Sequence, residues 1–259
     1  MLVVALTAAN TRAQQSATQS PQAASVQNDP SQPAKPVSYR ANERISDPEI
    51  IRRIDAAVYE RSNALARYTV KEQYDIYRNG ETSPSAQMTI QTVYSYSIGK
   101  EYTVTAQSGS QLMRSVVFDK ILEAERDMAK SSNREKVWVT SANYEMRPEP
   151  GTIDLNGRQC VIVDLKSRRK SPHLFNGKVW VDASDFTVLR LEGIPSQSPS
   201  VFAGQTQVVR DYAKIDGFSM ATHADVRSHS FLLGDTLMKI AYTDYQIERG
   251  KPAAWVPSH

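Results

Sequence analysis

Apolar and polar residues alternate with a period of two over most of this chain, and the alternation is plainest from Gly177 to Gly193 (GKVWVDASDFTVLRLEG). There Val179 and Val181 alternate with Trp180 and Asp182, and Leu189 and Leu191 with Arg190 and Glu192, across a polar turn. That pattern predicts a hairpin with one buried face. Similar runs flank it. Tyr68, Val70, Tyr74 and Ile76 lead to Asn79-Gly80, a pair that tolerates positive φ, and Met88, Ile90, Tyr94, Tyr96 and Ile98 follow in alternation. A shorter strand is expected through Tyr102 and Val104, then the run Gln111 to Val117, and later a strand near Tyr144 to Arg147. Asn156-Gly157 turns the chain into Val161, Val163 and Leu165, Asp216-Gly217 separates Gln207 to Ile215 from Ser219 to Phe231, and Thr236 to Ile247 carries Met238, Ile240 and Tyr242.

Two segments break the period. Ser46-Asp-Pro-Glu49 has a capping residue at Ser46 or Asp47, a first-turn proline and a glutamate placed to close a capping box. Behind it Ile50, Ile51, Ile54, Ala57, Val58 and Leu65 recur every three or four residues, opposite Arg52, Arg53, Asp55, Glu60 and Arg61, which is an amphipathic helix. Asp119 to Lys130 (DKILEAERDMAK) reads as a second helix inserted among the strands. The fold class that follows is mainly β: a strongly curved antiparallel sheet, a half-barrel, covered by an N-terminal helix and an inserted helix.

The ends of the chain differ in composition. Leu2 to Ala9 is apolar but too short to span a bilayer, and Thr11-Arg12-Ala13 presents small residues where a signal peptidase would cut, although no basic residue precedes the apolar run. Gln14 to Ser38 is Gln, Ser, Pro and Ala with almost no large apolar side chain, too little to offset the entropy of ordering. The expected organisation is a leader over 1–13, a disordered tether over 14–43, one domain over 44–249 and a tail over 250–259. Periplasmic or secreted localisation follows from the leader. The single cysteine, Cys160, lies within a strand-like run, so it forms no intrachain disulfide and supplies no thiol cluster for a metal.

Charge adds little. Lys and Arg number 31 against 28 Asp and Glu, and a net +3 spread along 259 residues does not predict nucleic-acid binding. The dense basic run Lys166-Ser-Arg168-Arg169-Lys170 reads as a solvated loop, with a contact for acidic headgroups or an acidic partner as the sharper alternative.

The order of helix, long hairpins and inserted helix, then Asn156-Gly-Arg158 through Asp164-Leu-Lys166, Lys178-Val-Trp-Val-Asp182, Leu189-Arg190-Leu-Glu192 and Tyr212-Ala-Lys-Ile-Asp216-Gly217-Phe218, resembles the periplasmic outer-membrane lipoprotein-sorting (LolA/LolB-like) superfamily. The resemblance covers nearly all of Arg44 to Arg249 and consists of loose β patterns, so it bears on fold more than on function. It implies a curved sheet around an apolar cavity that accepts the acyl chains of a lipoprotein or another lipid, and a carrier or sensor rather than an enzyme. Carriers of that family close the cavity with a contact between a lid helix and a strand. No motif here matches that contact, so none of its residues is carried over, and the Pro-rich loop Ile194 to Pro199 is an addition at the mouth or partner surface.

The residues expected to line such a cavity are Ile50, Ile54 and Val58 on the first helix and Met88, Ile90, Tyr94, Tyr96, Val163, Leu165, Val179, Val181, Leu189, Leu191, Met238, Ile240 and Tyr242 on the sheet. Taken singly, each reads as ordinary core. Taken together, they leave more apolar face than two helices fill. Chemistry is hard to find. His223 and His229 share a strand face about 20 Å apart, too far for one metal ion. His173 and His259 lack an adjacent acid and nucleophile, and neither a Gly-x-Ser-x-Gly elbow nor a Gly-rich phosphate loop occurs. Asp182, Asp185 and Glu192 are explained by turn and surface preference, with Asp182, Arg190 and Glu192 expected to face outward. The expectation is therefore a non-enzymatic monomer without cofactor or metal. Its partners would be lipid or lipoprotein acyl chains and a membrane-protein donor or acceptor, with no nucleic acid; the alternative is an envelope sensor or interaction module that binds a protein.

Overall fold

The computed structural model describes residues 45–111, 114–198, 203–230 and 234–250. The leader and tether expected over 1–43, and all of the tail beyond Gly250, lie outside the described residues. The first helix, α1, runs Asp47–Ala64 with Pro48 in its opening turn, and it buries Ile50, Ile54, Val58 and Ser62. The capping box expected at its start does not form. Ser46 is the N-cap residue by backbone conformation but its side chain makes no capping bond, and the Glu49 carboxylate, the other half of the box, is engaged elsewhere. Arg52 and Arg53 each donate to Glu49 at 2.7 Å, and these bonds hold its carboxyl down at about 2.

Three strands follow, β1 (Leu65–Arg78), β2 (Ala86–Ser95) and β3 (Gly99–Gly109). A short π-helical turn at Arg114–Phe118 then feeds α2 (Asp119–Ala129), so the run Gln111 to Val117 is helical in its described second half. After a single 3₁₀ turn at Arg134–Val137 come β4 (Tyr144–Pro148), β5 (Ile153–Leu155), β6 (Arg158–Ser167), β7 (Phe175–Asp182), β8 (Val188–Pro195), β9 (Ala203–Ile215), β10 (Phe218–Ser230) and β11 (Gly234–Arg249). All eleven form one antiparallel sheet, in the order β3-β2-β1-β11-β10-β9-β8-β7-β6-β4, with β5 continuing the β4 edge on β6. The sheet is open, with β3 at one edge and β4 and β5 at the other.

The turn chemistry works as the sequence predicts. Asn156-Gly157 and Asp216-Gly217 both adopt left-handed φ, at 54° and 80° and at 49° and 80°, and each closes a two-residue hairpin. Asn79-Gly80 has the same conformation (48° and 78°) but ends β1 without closing a tight hairpin, because β2 starts only at Ala86. The Asn79 side chain instead accepts from the Asp235 amide at 3.2 Å and ties this turn to the start of β11. At the hairpin of β7 and β8, Gly177 lies directly across from Gly193. A Cβ on Gly177 would sit 2.5 Å from the Gly193 Cα and closer still to the Glu192 carbonyl, so the strands approach to a distance only glycine permits.

Candidate functional site

Most of the apolar positions chosen from the pattern do share one interior. Ile50 and Ile54 from α1 join Met88, Ile90, Val163, Leu165, Val179, Val181, Leu191, Met238, Ile240 and Tyr242 in a single contiguous core cluster, with Tyr94 partly buried against it. Tyr94 stacks on Tyr68, ring centroids 4.9 Å apart. Three positions lie elsewhere. Val58 is buried but is not part of that cluster. Leu189 falls where the pairing of β7 with β8 slips, between Trp180 with Arg190 and Val181 with Val188. The bulge resets the alternation, so Val188 joins the contiguous cluster beside Leu191, while Leu189 is buried outside it. Tyr96 sits in the turn after β2, where the Arg134 guanidinium lies 3.6 Å over its ring and donates to its carbonyl.

Sequence reasoning missed the polar centre of this interior. Along β1 the inward positions read Tyr68, Val70, Glu72, Tyr74, Ile76, and Glu72 is fully buried among them. Its carboxylate accepts from the Tyr74 hydroxyl at 2.6 Å and the Thr92 hydroxyl at 2.7 Å. Burial pushes the Glu72 carboxyl up, partly countered by the Lys100 charge. Beside it, Glu125 projects from the buried face of α2 together with Ile121, Leu122 and Ala129. One Glu125 oxygen takes the Lys100 ammonium of β3 in an ion pair and accepts from the Tyr102 hydroxyl at 3.2 Å. The other lies 3.7 Å from the Arg210 guanidinium of β9, which also donates to the Tyr242 hydroxyl of β11. The side chains of Glu125, Lys100 and Arg210 are 0%, 1% and 5% exposed. The clue available in the sequence was a charged residue on the buried phase of each element: Glu72 two residues from Val70 and Tyr74, and Glu125 one turn from Ile121 and Leu122.

This centre also measures the curvature. In strand order β3 and β9 are five steps apart, which in a flat sheet is about 24 Å. Both nevertheless reach the two oxygens of one carboxylate. The sheet therefore curls around α2, the half-barrel geometry expected from the sequence.

α1 is fixed over the same concave side. Its Arg61 donates to the Ser219 carbonyl at 2.9 Å and reaches Met220 Sδ at 3.2 Å on β10, while Asp55 accepts from the Ser141 amide and hydroxyl at 2.8 and 2.6 Å. A pocket of about 30 Å³ lies between Arg61, Leu65, Tyr94, Lys100, Arg134 and Trp138. That is water-sized, well below the several hundred Å³ of a lipid-sized site.

The remaining sequence candidates resolve as structural groups. Arg168 donates to the Ser141 carbonyl at 2.8 Å, and Arg169 donates to Asn143 Oδ1 at 2.8 Å and to the Lys136 carbonyl. The basic run is thus half a solvated loop and half a fastening for the 134–143 segment. Asp182 does not face solvent as expected; its side chain is 4% exposed, and it accepts from Arg158 Nε at 2.6 Å and the Ser184 amide at 2.8 Å. Burial pushes its carboxyl up, but the Ser184 and Arg158 bonds outweigh burial and hold it below the usual carboxylate range. Arg190 and Glu192 do lie on the outer face, where Arg190 pairs with Asp211 at 3.0 Å. His223 and His229 pair separately with Asp225 (2.8 Å) and Asp235 (2.7 Å). Among the described residues no group of His, Cys, Asp and Glu is arranged to hold a metal ion, and no helix is long and apolar enough to cross a membrane.

No family model matches the chain, and no curated protein matches it. Solved structures do. A DUF1329 family protein from Desulfovibrio piger is 12% identical with a TM-score of 0.43, covering 78% of this chain and 94% of its own. A LolA superfamily protein from Nitrosomonas europaea is 11% identical with a TM-score of 0.43, covering 76% and 93%. A domain described as an outer membrane lipoprotein-sorting protein domain, from Vibrio parahaemolyticus, is 10% identical with a TM-score of 0.44, covering 75% and 91%.

Proposed function

We propose that the protein is a lipid or lipoprotein carrier of the cell envelope, a binder and not a catalyst, that takes acyl chains between its curved sheet and α2. The leader-like residues 1–13 support a periplasmic or secreted location. The observation that carries the reading is the way α2 is fastened. Apolar contacts from Ile121 and Leu122 hold it to the core, but its centre is held by the charged joint of Glu125 with Lys100 and Arg210. Charges removed from water are costly to keep dry, so a charged seam regains hydration when it opens and resists opening less than an all-apolar seam. Lifting α2 would uncover Met88, Ile90, Ile240 and their neighbours as an acyl-sized apolar floor. The arrangement with α2 seated on the sheet is then the closed, unloaded state.

Purification of the full chain from an envelope-bearing host, followed by native mass spectrometry and lipid extraction, tests this. Bound acyl lipid, or uptake of a fluorescent acyl probe by the delipidated protein, is the expected result. Absence of both would overturn it. The water-sized pocket beside α1 favours a second reading, an envelope module that binds a protein partner. Recovery of one stoichiometric partner by a protein free of lipid would establish that alternative.

A further inference from the structure

Glu125 occupies a receptor for a carboxylate. One oxygen takes the Lys100 ammonium and the Tyr102 hydroxyl of β3; the other accepts no hydrogen bond and lies 3.7 Å from the Arg210 guanidinium of β9, on the opposite flank of the curved sheet. These donors belong to the sheet, and only the acceptor belongs to α2. When α2 lifts, the donors stay and the carboxylate leaves. Among the described residues, the buried carboxylate that remains beside Lys100 is Glu72, which is itself engaged by Tyr74 and Thr92. The uncovered site is net positive in either protonation state of Glu72, and it lies among apolar core side chains.

We infer that the ligand is an amphiphile with one anionic head, of which a long-chain fatty acid is the simplest, and that its carboxylate replaces that of Glu125 between Lys100 and Arg210 while its chain covers the apolar floor. The inference rests on the carrier reading above and narrows it. A neutral acyl ester would bring no charge to replace that of Glu125 and would leave the uncovered site net positive in an apolar interior, which is disfavoured. Glu125 is then both latch and internal competitor: the ligand releases the latch by supplying its charge.

The test compares palmitate with methyl palmitate, which share a chain and differ in head charge, by calorimetric titration of the full-length delipidated protein. Palmitate is expected to bind more tightly by about tenfold or more, the scale of hydrogen bonds to charged groups. Lys100→Met should remove most of that preference. Glu125→Gln, which keeps the shape and removes the competing charge, should tighten palmitate binding and leave methyl palmitate less affected. Equal affinity of the unaltered protein for the two ligands overturns the inference while leaving the carrier reading intact. Binding of neither overturns both. Because the ligand comparison is made first on the unaltered protein, a variant that fails to fold does not decide the matter.

Discussion

Replacing Glu125 by leucine keeps the volume near that of the glutamate, so the expected loss comes from charge and not from a cavity. In the native interior Glu125 balances Lys100 and lies 3.7 Å from Arg210, with all three side chains at most 5% exposed. At that distance and an effective dielectric constant of about 20, the Arg210 attraction alone is about 4 kcal/mol before desolvation is counted. Removing one partner of a buried pair leaves the other charge dry and uncompensated, which costs about 3–5 kcal/mol. For a domain of this size each kcal/mol moves the melting temperature by about 2–4 °C, so a fall of roughly 6–20 °C is expected, read by circular dichroism alongside urea unfolding at pH 7. The double variant Lys100→Met with Glu125→Leu removes both members of the tight pair and should recover at least half of the loss, because paired burial is close to neutral against apolar isosteres. A single variant within about 1 kcal/mol of the parent, or a double variant less stable than the single, would refute the view that this centre is a desolvated, mutually dependent ion network.

Asp182→Asn should cost about 1–2 kcal/mol at pH 7 through its bonds to Arg158 and Ser184. Its folded-state carboxyl is held low, so this stabilisation is present above the unfolded value near pH 4 and is lost as pH falls through the lower folded value. Urea midpoints of parent and variant should therefore converge in that acid range, and a gap that stayed constant would contradict the assignment. Gly177→Ala forces a Cβ to within 2.5 Å of the Gly193 Cα, and about 1–3 kcal/mol of destabilisation by overpacking should appear in thermal melts; an unchanged midpoint would mean that the strands part without cost.

The fold was largely legible because its strongest signals are local. Three Asn-Gly or Asp-Gly pairs and a strict period of two gave hairpins, and the three- and four-residue spacing from Ile50 gave α1. What failed did so where one residue shifts the register or one bond competes with another. The bulge at Leu189 exchanged it with Val188, a change that alternation cannot anticipate. The capping box was lost because two arginines stand within reach of Glu49. The interior was only half legible. Periodicity collected the apolar wall, yet it treats a charge on a buried phase as noise, and the partners of Glu125 come from β3 and β9, strands far apart in the sequence. Only the curled sheet brings Lys100 and Arg210 to one point.

The strand order also bears on how the molecule assembles. From β6 to β11 each strand pairs with its sequence neighbour, and β1, β2 and β3 form a second such meander, so the two blocks meet only where β1 lies against β11. Every other long pairing closes a short loop, whereas this seam joins the first strand to the last and must wait for the largest loss of chain freedom. Assembly is then two local folding units followed by one slow docking step, and pulsed hydrogen exchange should find the amides between β1 and β11 protected last. Since Glu72 stands on β1 and Arg210 and Tyr242 on the other block, the charged interior is completed only in that final step.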